Sequence, residues 1–407
     1  MEDRMSQIIA PNLGSAEFKA NPYPFYARLR AEAPVYHARL SNRQSAWLVT
    51  RYDDVLAVLK DERLVKDRAN TAAPGQPVKQ PWMPGLLKPL ARNMLDLDGA
   101  DHARLRGLVH KVFTPRLIEQ MRGQIQARCD NLLDRAQPKG GVELVREYAL
   151  ALPLGVITDL LGIPAADRAQ FARWSQTIVA TSSTAQLLRA LPAIWRLTRY
   201  LRALFERRRA DPRDDLVTGL VQAEEAGDRL SQDELLAMVV ILLIAGHETT
   251  VNLIASGTLA LLEHPGELAR LRQSPELIKP AVEELVRFCS PVELATERYA
   301  REELTIAGVS IPRGDMVLAV LGSANHDERQ FADPERLDIA REPNRHLAFG
   351  QGVHYCVGSP LARMEGQIAI STLLARMPNL RLQQPADRLR WRRQLFLRGL
   401  ERLPLAC

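Results

Sequence analysis

Residues 349–358, Phe349-Gly350-Gln351-Gly352-Val353-His354-Tyr355-Cys356-Val357-Gly358, set one cysteine among three glycines at the start of a helical pattern over 357–377. Such glycines let the backbone fold tightly and turn its N–H groups toward the sulfur, and the positive end of the following helix favours a thiolate over a thiol. A stabilised thiolate is a metal ligand or a nucleophile. A nucleophile needs a base, and His354, two residues away, points elsewhere in most strand or loop geometries. A lone cysteine is usually a small core residue, but this glycine setting discounts that reading.

A second concentration of chemistry lies in His247, Glu248, Thr249, Thr250 and Asn252, which follow an apolar run over 235–246. Ser231 and Glu234 form a capping box, and no proline intervenes over 232–263, so a rod of about 48 Å is expected at 1.5 Å per residue. Apolar character on all sides means burial, and the polar set in mid-helix favours burial in protein over a membrane span. Polar side chains there are costly unless paired or used. Ala245 and Gly246 leave little bulk, so the pattern predicts something packed close to that face. His247 and Glu248 begin an H-E-x-x-H zinc motif, but Val251 occupies the second ligand position and excludes it.

The rest of the chain has to position these two segments. Its 407 residues, 46% hydrophobic and 25% charged, are enough to bury a substantial core. The net charge of +6 is spread as arginine with no long like-charge block, which argues against nucleic acid and leaves room for a basic docking face. Eight arginines fall between positions 189 and 213, a spacing read as a solvated helix face. Cys129, Cys289, Cys356 and Cys407 show no C-x-x-C spacing, and the first ten residues lack a signal-peptide layout. A cytoplasmic chain with free thiols and no membrane segment is expected.

Periodicity predicts helices over 23–31, 52–60 and 101–113, then further helices to about residue 209 with breaks at Pro115, Pro138 and Pro164. Two helices follow Pro265. Strands are predicted over 35–40, 46–50 and within 292–320, and loops over 70–89 and 325–351. The segment 70–89, with Trp82, Met83, Leu86 and Leu87, reads equally as a packed loop or a lid. Without repeats or an evident linker, one domain over 1–407 is expected.

The cysteine segment matches every fixed position of F-G-x-G-x-H-x-C-x-G, and in this it resembles the cytochrome P450 family, in its soluble bacterial, secondary-metabolite class. Ala245, Gly246, His247, Glu248, Thr249 and Thr250 resemble that family's oxygen-activating segment, and Glu284 with Arg287 resembles its Glu-x-x-Arg pair. Phe331, Ala332, Asp333, Pro334, Glu335 and Arg336 are similar to the segment whose arginine joins that pair. The likeness runs from about residue 21 to 405, with Leu337, Val357 and Glu248 as mild departures. It implies a mainly α fold with small β-sheets, and haem b held between the long helix and the Cys loop with the last helix.

On this resemblance Cys356 is the axial ligand, whose electron donation favours O–O cleavage. His102, Arg106, Arg298 and His346 meet the haem propionates, while Ala245, Gly246, Phe349, Gly350, His354 and Gly358 line the cofactor. Glu248 and Thr249 deliver protons. Glu284, Arg287 and Arg336 form a buried structural lock. No flavin or iron–sulfur motif is present, so electrons are expected from a ferredoxin and its reductase, or a flavodoxin, drawn to a basic face including Arg104, Lys111 and Arg363. The implied reaction is hydroxylation or epoxidation of a mid-sized apolar compound by a monomer. Coupling or rearrangement on the same fold, and a haem-based ligand sensor, are the competing readings. Pocket segments implied are the loop with Trp82, Met83 and Leu86, residues 178–188, 292–295 and 395–397.

Overall fold

The computed structural model describes residue 8 and residues 10–40, 44–72, 84–179, 184–225 and 230–407. The chain forms two compact units, one of Met1–Lys79, Arg128–Ala149 and Thr249–Cys407, the other of Gln80–Ala127 and Leu150–Glu248. Trp82 and Met83 of the predicted lid lie outside the described residues.

The first unit opens with helices α1 (Ala16–Ala20) and α2 (Tyr23–Glu32), strands β1 (Val35–Arg39) and β2 (Ser45–Val49), helix α3 (Tyr52–Lys60) and strand β3 (Leu64–Val65). It continues with β4 (Gly141–Glu143), and later with β5 (Arg298–Ala300), β6 (Leu304–Ile306), β7 (Val309–Ile311) and β8 (Met316–Ala319). Five strands form one sheet in the order β1-β2-β8-β5-β3. Val35 faces Val49 across the antiparallel β1–β2 pair, and β2 runs parallel to β8 with Trp47 opposite Val317. Val35, Val49, Val317 and Ala319 are buried in one apolar cluster with Val55 and Leu59 of α3. Ala38, Ala46, Leu48 and Leu318 join another cluster with Tyr26 and Leu29 of α2. Alternate residues therefore feed opposite faces of a sheet covered on both sides, as the pleat requires. The C-terminal strands β9 (Arg381–Leu382) and β10 (Pro404–Ala406) make a small sheet with β4, β10 in its centre.

The second unit is helical: α4 (Gly99–Val112), α5 (Pro115–Gln120), the start of α6 (Arg122–Ala136), α7 (Ala151–Leu160), α8 (Arg168–Val179), α9 (Thr184–Ala210) and α10 (Leu216–Glu225). Pro115 starts α5 because its missing N–H is an orphan there in any case, and Thr114 caps the end by accepting from the Leu117 N–H at 3.2 Å. Pro192 lies inside α9 although proline normally breaks a helix. It is tolerated because Pro192 and Leu188, whose carbonyl loses its partner, are both exposed to water.

One helix, α11 (Gln232–Glu263), passes from the second unit into the first and matches the predicted rod at both ends. Its capping box is formed: the Ser231 N–H donates to Glu234 Oε2 at 2.8 Å, and the Glu234 N–H to Ser231 Oγ at 3.2 Å. Its most apolar stretch is long enough to cross a membrane, but 67% of that stretch is buried inside the fold, as in the core helix of a soluble protein. Helices α12 (Pro265–Gln273), α13 (Ile278–Cys289), the short α14 (Leu321–Ala324) and α15 (Ser359–Arg376) complete the first unit.

Candidate functional site

In the first unit, the segment before α15 owes its shape to two glycines. Gly350 and Gly352 have φ of 69° and 74°, a left-handed conformation that side chains disfavour. At Gly352 a Cβ would also sit 2.7 Å from the Leu59 carbonyl of α3, so only glycine lets the loop rest on that helix end. The turn closes where the Cys356 N–H donates to Phe349 O at 2.9 Å. Gly358 caps α15, which puts the partial positive charge of a helix N-terminus two residues beyond the sulfur. A Cβ on Gly358 would lie 3.9 Å from Cys356 Sγ, an ordinary contact, so the protein's own packing does not demand this glycine.

The loop is fastened from beneath by Glu283, on α13. Arg363 of α15 forks onto it at 2.7 and 2.9 Å, and His346 Nε2 lies 3.1 Å away. Burial raises the Glu283 pKa, but the bonds from His346 and Arg363 more than offset that and hold it at about 2. The Arg363 guanidinium also lies 4.3 Å over the Phe349 ring. Two expectations change here. His346 was assigned to a propionate, yet its Nδ1 accepts from the Ala348 N–H at 3.3 Å and its Nε2 faces Glu283, so both ring nitrogens are engaged in holding the loop. Arg363 was assigned to a basic docking face but is neutralised by the same carboxylate.

Next to Glu283, Glu284 and Arg287 are fully buried and joined by two 2.8 Å bonds. The expected third member is corrected: the guanidinium that reaches Glu284 belongs to Arg341, at 3.1 and 3.2 Å, whereas Arg336 contributes its carbonyl to Arg287 and Arg341. Asn344 and the Asp338 N–H complete the shell around Glu284, both at 3.1 Å. Arg287 also donates to the Asn325 carbonyl at 2.8 Å, and Asn325 Oδ1 accepts from the Leu347 N–H at 2.7 Å, which carries the lock into the Cys loop. Arg298, the remaining predicted cation of this unit, is buried on β5, 4% exposed.

Close helix packing in this unit sets α11 against α13 and α15. A Cβ on Gly366 would be 3.0 Å from Leu253, and one on Gly257 3.3 Å from Leu285. Leu253 is one turn beyond Thr249, and Gly366 is ten residues beyond Cys356, so the two chemical segments lead into one packed crossing. Beside it are buried polar groups that sequence reasoning did not single out as a set. Asn252 Oδ1 and Nδ2, Ser256 Oγ and Glu365 Oε2 are buried and make no hydrogen bond to the described residues. Glu365 was missed because a glutamate inside a terminal helix gives no outward sign of burial.

Burial alone pushes the Glu365 pKa well above the ordinary carboxyl value, so the folded chain holds this proton after the unfolded chain has released it. Its contribution is therefore most favourable below the unfolded value of 4.5 and is lost as pH rises toward the folded value. Glu365→Gln should stabilise the protein increasingly as pH rises from 4.5 toward the raised value of the buried carboxyl. Parallel urea-midpoint curves for the two proteins across that range would contradict this.

In the second unit, His102 and Arg106 lie one turn apart on α4, buried and half-buried. Burial, and then the Arg106 charge, lower the His102 pKa, so a neutral imidazole sits beside a cation. Arg104, expected on the docking face, instead binds Glu234 at 2.5 Å and ties α4 to the first turn of α11. On α11 itself, His247 Nδ1 lies 2.7 Å from its own helix's Leu243 carbonyl, and Glu248 is buried. Around this helix an apolar stripe is not fully covered: Ala245 is exposed, and Ile241, Leu242, Gly246 and Thr249 are half-buried. The spacing i, i+1, i+4, i+5, i+8 puts them on one face. A Cβ on Gly246 would make only a 3.5 Å contact with Ile157, so the protein's own packing does not require glycine there either. Among the described residues no group of three or more His, Cys, Asp or Glu could hold a metal ion.

Comparison with known proteins places these features. The family model described as Cytochrome P450 matches residues 8–397. The polyketide biosynthesis cytochrome P450 PksS of Bacillus subtilis (strain 168) is 44% identical over 96% of this chain and 96% of its own length. Its solved structure superposes with a TM-score of 0.90, covering 98% of this chain and 99% of that one. The cytochrome P450 monooxygenase PikC of Streptomyces venezuelae is 43% identical over 96% of this chain and 92% of its own. P450BioI, solved in complex with hexadec-9Z-enoic acid ligated acyl carrier protein, is 38% identical with a TM-score of 0.88, covering 96% and 99%. The chain therefore belongs to the cytochrome P450 family and is a haem b-dependent monooxygenase.

Proposed function

We propose that this protein inserts one oxygen atom from dioxygen into an apolar acyl or polyketide-like chain, by hydroxylation or epoxidation. The observation that carries the reading is Cys356, held at the N-terminus of α15 by a loop that Glu283 and α3 fix in place. Haem b fits the residues present: Gly246 and Gly358 are small where protein packing does not require it, and the accessible stripe on α11 is apolar apart from Thr249. The polyketide and acyl-carrier associations of PksS and P450BioI support the substrate class.

In this reading Cys356 Sγ is the iron ligand, while Phe349, Gly350 and Gly358 pack around it and Ala245 and Gly246 admit the macrocycle. Arg106 and Arg298 supply charge to the propionates, and His102 and His354 supply N–H donors. His346 serves the loop through Glu283. Haem bearing a thiolate ligand supplies the activation of dioxygen and the acceptance of electrons. The Glu248 carboxyl moves protons inward along α11, and Thr249 Oγ1 holds a proton at the distal side of the site. We further propose that the chain acts as one cytoplasmic, monomeric catalytic domain, with two electrons from a ferredoxin and its reductase or a flavodoxin.

Labelled dioxygen with a surrogate redox system tests the reaction: one labelled atom in the product is expected, and unlabelled coupled or rearranged product would replace the reading. Thr249→Ala should lower product formed per electron by about tenfold or more and release hydrogen peroxide, because a positioned proton donor is worth about 10²–10⁴-fold. Undiminished coupling would remove Thr249 from the proton path.

A further inference from the structure

We propose that the exposed face of α9 is a docking surface for a small acidic carrier protein that presents the substrate on a thioester arm. This rests on the acyl-chain reading above. The face follows from helical spacing: Leu188, Pro192, Trp195 and Arg199 recur every three or four residues and are all exposed, while Ala190, Ile194, Leu197 and Leu201 on the opposite side are buried. Leu188 is 59% exposed and Trp195 50%, and among the described residues only Val353 is a comparably exposed large hydrophobic. Two such side chains one heptad apart on a helix are a placement that solvent alone does not favour.

The charges around them are distributed unevenly. Further along the helix, Arg202 pairs with Asp233 at 3.0 Å, Arg208 with Asp215 at 2.6 Å and Arg209 with Glu206 at 2.5 Å. Arg189, Arg196 and Arg199, exposed beside Leu188 and Trp195, have no carboxylate within ion-pair reach among the described residues. Arg199 stacks over the Trp195 ring at 5.4 Å, which holds both side chains ready. An apolar anchor of tryptophan and leucine ringed by arginines that meet no carboxylate among the described residues fits an acidic, partly apolar helical surface.

At its N-terminal end this face reaches Leu188, the last residue of the segment 178–188 proposed for the substrate, of which residues 180–183 lie outside the described residues. A partner seated there is joined to the chain that receives its cargo.

The test uses holoenzyme and an acyl carrier protein loaded with a hexadec-9Z-enoyl chain. Binding is measured by calorimetry for the wild type, R189E/R196E/R199E and W195A, with haem content and circular dichroism as folding controls. Both variants should bind the loaded carrier at least tenfold more weakly. Raising salt should weaken the wild type and leave the triple variant nearly unchanged. Free hexadec-9Z-enoic acid, followed by the haem absorption shift, should bind all three proteins alike. Equal carrier affinity in wild type and variants overturns the proposal, as does a loaded carrier that binds no better than the free acid. Slowed reduction by ferredoxin, or lost binding to phosphatidylglycerol vesicles, with carrier binding intact would overturn it in favour of a redox or membrane surface. If the free acid leaves the wild-type spectrum unchanged while carrier binding still depends on Arg189, Arg196, Arg199 and Trp195, the substrate class falls and the docking surface stands.

Discussion

Cys356→His is expected to abolish the red-shifted absorption that a reduced thiolate-bound haem shows with carbon monoxide, and to lower turnover by more than about 100-fold. That figure is the upper range for losing only an outer partner of a metal ligand, and this change removes the ligand itself. The loop should survive it. Its conformation comes from Gly350 and Gly352, from the Cys356 backbone N–H bond to Phe349 and from the Glu283 clamp, none of which involves the sulfur. Haem content and thermal midpoint should therefore stay near wild type while the spectrum changes class. An unaltered carbon monoxide spectrum would remove Cys356 as the ligand, and the proposed function with it.

Glu284→Gln should be the most damaging change outside the chemistry, costing about 3–5 kcal/mol, the usual cost of stranding a buried charge. Arg287 would keep its charge at 0% exposure with a neutral partner, and Arg341 would lose the same carboxylate. Because Arg287 leads through Asn325 to the Leu347 N–H, the loss should also loosen the Cys loop and lower haem retention. The double change Glu284→Leu with Arg287→Met should cost clearly less than the two single changes added together, since no lone charge remains. Urea midpoints and haem content of the four proteins decide this. A fully additive cycle would mean that the pair does not act as a unit. Arg336→Ala should be mild by comparison, because that residue acts through its carbonyl.

Groups whose function depends on their local chain were legible beforehand. The capping box and the uninterrupted apolar run defined α11 at both ends, because helix initiation and propagation are local. The glycine-flanked cysteine was legible for the same reason: a left-handed turn requires glycine wherever the rest of the chain lies. Alternating apolar residues marked β1 and β2, since pleating is equally local.

The family, the helix that carries Glu248 and Thr249, and the turn that presents Cys356 are all written along the chain. The partners of the charged side chains follow instead from how distant segments pack. Arg341 rather than Arg336 closes on Glu284, His346 and Arg363 converge on Glu283, and Glu365 is buried without a hydrogen-bond partner among the described residues. Spacing along a chain restricts backbone torsions, but a long guanidinium or carboxylate finds its partner only after distant segments have packed and desolvated it. That is why local turns and helices could be read along the chain, and the scaffold of buried charges only in the packed fold.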